Sequence, residues 1–186
     1  MSVPLKRYHF NVAEFYRMAD AGILTPADRV ELIEGEIIEM SPIGSRHAAC
    51  VATLTELFVR SAGSEAFVWA QNPLRLNDFS EPQPDVALLR RREDRYREAH
   101  PTPDDVLLVV EVSDTTAAYD RGVKVPLYAR SGIAEVWLID LTREVVEIYF
   151  QPAGGVYQQF REAGRGDRVT PPVIKELALA VDEILG

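Results

Sequence analysis

Val106-Leu107-Leu108-Val109-Val110-Glu111-Val112-Ser113 sets five apolar residues in a row and then an acid. A short continuous apolar run bounded by polar sequence reads as a central strand buried on both faces. Glu111 stands where such a strand is expected to stay apolar. A carboxylate left unpaired in an apolar setting is costly, so the strand must deliver it to a partner, a metal ion or the open edge of the sheet. A second acid is placed comparably, since Asp85 follows Pro84 and opens Val86-Ala87-Leu88-Leu89. Two acids at the ends of two neighbouring strands point to a divalent-cation site.

Outward from these strands, Asn11 and Glu14 have the spacing of a capping box at the head of a short helix, with Val12, Phe15, Tyr16 and Met18 as its apolar face. Residues 30–33 and 36–40 flank Glu34-Gly35 and predict a strand pair around a tight turn. From Ser45 to about Ala62 the apolar positions recur at helical spacing, with Gly63 just past the end. Residues 67–70 and 74–76 read as strand segments interrupted by Asn72-Pro73, and 90–105 as irregular and polar. Residues 115–131 have helical character with a kink or late start at Pro126, because proline removes a hydrogen bond and clashes with the preceding turn. Residues 134–140 and 144–150 form a hairpin, 156–160 add a strand, and 175–185 close the chain as a helix. The elements add up to an α/β (α+β) architecture, a mixed sheet flanked by helices.

The chain has 186 residues, 47% hydrophobic and 26% charged, the size and composition of one globular domain spanning 1–186. No window approaches the roughly 20 apolar residues of a membrane span, and residues 1–10 hold no signal-peptide core, so the expected compartment is the cytoplasm. Cys50 is the single cysteine, which excludes an intrachain disulfide and a cysteine-rich zinc site. The net charge of −9 repels phosphate on average, so a nucleic-acid role requires a local basic face. Arg90, Arg91, Arg92, Arg95 and Arg97 are the dense candidate, interleaved with Glu93, Asp94 and Glu98.

The chemistry-bearing set is Asp85, Glu111 with Val112, and Asp120 with Lys124. Hard cations such as Mg²⁺, with Mn²⁺ as a substitute, take carboxylate and carbonyl oxygens, so Asp85, Glu111 and the Val112 carbonyl form a set for one ion. Lys124 would orient the attacking water and offset charge developing on a phosphoryl group. Each residue also has a bland role: Asp120 and Lys124 as a helix-surface ion pair, His47 as a capping or surface residue, Tyr128 and Trp137 as core.

In order along the chain, 30–36 (VELIEGE), Ser41-Pro42 with His47, Pro84-Asp85, 109–113 (VVEVS), Asp120 with Lys124, 128–132 (YARSG) and 135–140 (EVWLID) resemble the Uma-two family of the PD-(D/E)XK nuclease superfamily. The resemblance implies a restriction-endonuclease-like core, a Mg²⁺-dependent phosphodiesterase acting on DNA, and a homodimer. By position it makes Asp85 and Glu111 metal ligands, Lys124 the catalytic lysine and Glu31 the acid from the N-terminal part. Ser113 occupies the strand position where the superfamily carries its lysine, and Lys124 on the next helix takes that place.

Three readings are compatible with these residues: a metal-dependent DNA endonuclease, an inactive nuclease-like protein that binds nucleic acid or a partner, and an accessory domain holding a structural ion. The first requires the Asp85 and Glu111 strands to be adjacent with both carboxylates on one side. It also requires Lys124 to point at Glu111 while contributing no more than about 1 kcal/mol to stability. A two-fold dimer would set the 90–97 arginine segments beside a groove at the catalytic edge and would offer a use for Val145, Ile148 and Phe150, which a lone domain would instead bury in its core.

Overall fold

The computed structural model describes residues 6–172, 174 and 177–186. Helix α1 (Val12–Asp20) starts at the expected capping box: the Asn11 side chain accepts from the Glu14 N–H, and Glu14 returns the bond to the Asn11 N–H. Strands β1 (Val30–Ile33) and β2 (Glu36–Glu39) pair antiparallel. Glu34 and Gly35 both have positive φ, 50° and 83°, the combination that two-residue hairpin turns need. A Cβ at Gly35 would stand 2.5 Å from the His9 Cβ, so this turn requires glycine on two counts.

Helix α2 (Ser45–Ala62) is followed by β3 (Phe67–Ala70), β4 (Val86–Leu89) and β5 (Val106–Ser113). Residues 74–76, expected as strand, form a buried loop instead. Their N–H groups go to Pro82, Pro101 and Ser80 carbonyls, so no single partner strand holds them. Next come α3 (Ala117–Tyr119), a π-helical turn (Asp120–Lys124) and α4 (Val125–Arg130). The kink expected at Pro126 is this π turn: the Val125 N–H reaches back five residues to the Asp120 carbonyl, and Pro126, which has no N–H to place, follows at once.

Strands β6 (Glu135–Asp140), β7 (Val145–Ala153) and β8 (Val156–Gly164) complete a six-stranded sheet in the order β3-β4-β5-β6-β7-β8. Only β5 and β6 run parallel; α3, the π turn and α4 make their crossover. The β1–β2 hairpin and the pair β9 (Arg168–Val169) and β10 (Leu179–Ala180) stand outside this sheet as N-terminal and C-terminal additions. The closing helix expected over 175–185 is shorter: residues 177–180 are not helical, Leu179 and Ala180 forming β10, and α5 covers only Val181–Leu185, while residues 175 and 176 lie outside the described residues. Among the described residues no helix is long and apolar enough to cross a membrane.

Alternation along the strands builds a core on each face of the sheet. Leu88, Leu108, Val110 and Ile139 pack with Leu54 and Phe58 of α2, while Ala87, Leu89, Val109 and Val136 pack with Leu127 and Tyr128 of α4. Trp137 is core, as expected. Ile148 is buried in the α2-side core, with Phe150 packed against it, so this hairpin surface is used within the chain and is not left for a partner.

Candidate active site

The expected neighbours are in place. Strands β4 and β5 pair antiparallel with Val86 opposite Val110, which puts Asp85 beside Glu111. Both line one cleft of about 480 Å³, together with Glu31, His47, Val112, Tyr119, Asp120 and Lys124. The Asp85 Oδ2 atom accepts from the Val112 N–H at 2.9 Å and lies 3.1 Å from His47 Nε2. The Asp85 bond lifts the His47 pKa, against the opposing effect of burial.

Glu111 is buried on the face that α4 covers, and the Tyr128 hydroxyl donates to its Oε1 atom at 2.6 Å. Burial pushes its carboxyl up to about 8, although the Lys124 ammonium pulls the other way. Lys124 Nζ lies 3.2 Å from Glu111 Oε1 and 3.1 Å from Glu31 Oε2. Burial alone would discharge this lysine, but Glu111, Glu31 and Asp120 together outweigh it and hold the ammonium charged. Glu31, which only the resemblance implies as a site residue, is fixed by the Gln83 N–H at 3.2 Å and reaches the cleft from a hairpin outside the main sheet.

The structure corrects four expectations. Asp120 and Lys124 are not a surface ion pair: both are buried, and Asp120 accepts from Ser113 Oγ and, at 2.7 Å, from Thr116 Oγ1. Ser113 thus anchors the head of the turn that presents Lys124. Lys124 is not a low-cost surface cation, because its loss would leave two buried acids facing each other. His47 is a cleft residue and not a surface cap; Val51, Leu54 and Phe58, which follow at helical spacing, are buried, and that periodicity was a usable signal. Finally, the arginine segment stands at the wrong end of β4. Arg90 follows Leu89 whereas Asp85 precedes Val86, and none of Arg90, Arg91, Arg92, Arg95 or Arg97 lines the cleft. Arg90 and Arg91 donate to the Asp104 and Gly63 carbonyls, and Arg92 pairs with Asp94 and sits over the Tyr96 ring.

Among the described residues no group of three or more His, Cys, Asp or Glu side chains is placed to hold a metal ion. Asp85 and Glu111 each keep one oxygen that accepts no hydrogen bond from the described residues, Oδ1 and Oε2. An all-oxygen, two-carboxylate set with room for water suits Mg²⁺, which keeps several waters and seldom takes an all-protein cage.

A mixed sheet with two acids at adjacent strand ends and a lysine aimed between acids defines the restriction-endonuclease-like class. The Uma2 family, described as "Putative restriction endonuclease", matches residues 12–182, and the chain belongs to it. A similar fold occurs in a crystal structure from Anabaena variabilis described as a putative nuclease belonging to DUF820. It has a TM-score of 0.73 and 18% identity, covering 95% of this chain and 97% of that one. At that identity the likeness is one of fold. No curated protein matches the chain.

Proposed function

We propose that the chain is a metal-dependent endonuclease that hydrolyses DNA phosphodiester bonds. The observation that carries this reading is the meeting of Asp85, Glu111, Lys124 and Glu31 in one cleft from four separate elements. Asp85, Glu111 and the Val112 carbonyl would hold Mg²⁺, with Mn²⁺ as substitute; when bound, the ion lowers the pKa of a bound water and polarises a phosphoryl oxygen. The remaining work belongs to the chain. The Val112 N–H and His47 orient Asp85, and Tyr128 orients Glu111. The charged Lys124 ammonium donates to the attacking water and offsets negative charge developing on the phosphate. Glu31 keeps that ammonium charged and aimed.

The test is cleavage of a labelled DNA with and without Mg²⁺, repeated with Glu111→Ala. Cleavage that needs the ion and disappears in the variant supports the assignment. Salt-sensitive DNA binding with no cleavage by the wild type would reject it in favour of an inactive nuclease-like binder.

A further inference from the structure

Resting on that phosphodiesterase reading, we propose that the cleft takes an unpaired DNA strand, one nucleotide at a time, and not an intact duplex. The first ground is depth. The Asp85 side chain is 13% exposed, Lys124 7% and Glu111 4%, so a phosphodiester reaches them only by entering the cleft. The β2–α2 connection, with Pro42 and Ile43, lines the cleft, as do Thr116 and Tyr119. A duplex is stiff over about 150 base pairs, so bending it to bring a single phosphate into a slot carries a deformation cost. An unpaired nucleotide rotates freely about its backbone, whereas a paired one must first be unstacked.

Charge is the second ground. Duplex readers lay a basic track along the phosphates. Here Glu39, Asp114 and Asp120 add to the site acids, Arg29 is the exposed cation of the lining among the described residues, and the arginine segment lies at the far end of β4. The third ground is a surface for bases: Ile43, 43% exposed, stands at the rim with Pro42, and Tyr119 offers an aromatic ring. Stacking on aromatic rings is how sequence-tolerant single-strand sites hold bases; half-buried Tyr119 is the ring here, and Pro42 and Ile43 add apolar contact.

The experiment compares three labelled DNAs of one sequence with wild-type protein and Mg²⁺: a single strand, its blunt duplex, and the duplex with a central unpaired bulge. The single strand and the bulge should be cut at least about tenfold faster than the duplex, since a paired nucleotide carries the unstacking cost. In the bulged DNA the cuts should fall at the unpaired nucleotides. A duplex cut as fast as the single strand overturns the proposal.

Fluorescence anisotropy with Asp85→Asn, which keeps an acceptor for the Val112 N–H, measures binding apart from chemistry. Single-strand binding should be at least about tenfold tighter than duplex binding, with a log–log salt slope near −1, as one or two phosphate contacts give. Equal or tighter duplex binding overturns the proposal. If nothing is cut but the strand preference persists, the phosphodiesterase reading fails and the strand preference stands; if nothing binds, both fail. Ile43→Ser at the exposed rim, which adds no charge, should weaken single-strand binding at least about threefold with Tm unchanged, by loss of apolar contact with a base, and unaltered binding would remove the role given to this rim.

Discussion

One π-helical turn feeds two buried ionic clusters, and they are balanced differently. Arg121 reaches one way, donating to Glu147 at 2.8 and 2.9 Å and to Asp140 at 2.8 Å; Arg143 adds a 2.6 Å bond to Glu147, and Tyr149 another at 2.5 Å. Burial opposes ionisation of Glu147 and Asp140. Arg121 and Tyr149 outweigh it at Glu147, and the Arg143 N–H with Arg121 outweighs it at Asp140, so both carboxyls sit below their ordinary values. Lys124, three residues on, reaches the other way and meets two acids by itself, with Asp85 and Asp120 close by. There burial wins at Glu111, and its carboxyl stands raised. The first cluster is saturated and holds the β6–β7 hairpin to the turn. The second is short of positive charge, a state that a bound cation relieves and that marks a working site more than a structural one.

Lys124→Met tests the contrast hardest. It should remove Mg²⁺-dependent cleavage by at least about 100-fold, as expected for a donor that stabilises transition-state charge. It should also cost roughly 3 kcal/mol of stability in urea unfolding, because it strips the cation from buried acids. Full activity would break the assignment of Lys124, and unchanged stability would break the account of its burial.

Glu147→Ala probes the saturated cluster. A cost of about 2–3 kcal/mol is expected, less than for a fully enclosed pair because the Arg121 side chain keeps 35% exposure. Its kcat should change far less than that of Lys124→Met; an equal loss would mean that the two clusters act as one.

A smaller effect follows from Glu111. With its pKa raised from 4.5 to about 8, the protonated carboxyl contributes stability that is full below pH 4.5 and is lost as pH rises through about 8. A cation competes with that proton, so the rise in Tm on adding Mg²⁺ should be larger at pH 8.5 than at pH 6.5. An equal rise at both would exclude Glu111 as a ligand. Smallest is Tyr128→Phe, expected to cost about 1 kcal/mol for the lost hydrogen bond to Glu111. It should also weaken Mg²⁺ dependence only modestly, as measured by the half-saturating ion concentration.

Elements with a local cause were legible in advance. The capping box at Asn11, the Glu34-Gly35 turn, the α2 periodicity and the disturbance before Pro126 each follow from bonding or sterics within a few residues, and each stands where expected. Residues 74–76 have the apolar spacing of a strand, but a strand needs a partner, and these N–H groups find three scattered carbonyls. At the site, Asp85 and Glu111 are conspicuous in the sequence as acids beside apolar runs. His47 is legible only through its helical register, which places it in line with the buried residues of α2.

The sequence by itself determined the strands of the main sheet, α1, α2 and the two acids delivered beside one another, since apolar periodicity and the cost of a buried charge are local properties. Only the tertiary structure decided that Glu31 arrives from a separate hairpin, that Ser113 anchors the lysine-bearing turn through Asp120, and that the arginine segment lies away from the cleft. These depend on the relative placement of elements distant in the chain. Electrostatic and hydrogen-bond energies fall steeply with that separation, and no local pattern encodes it.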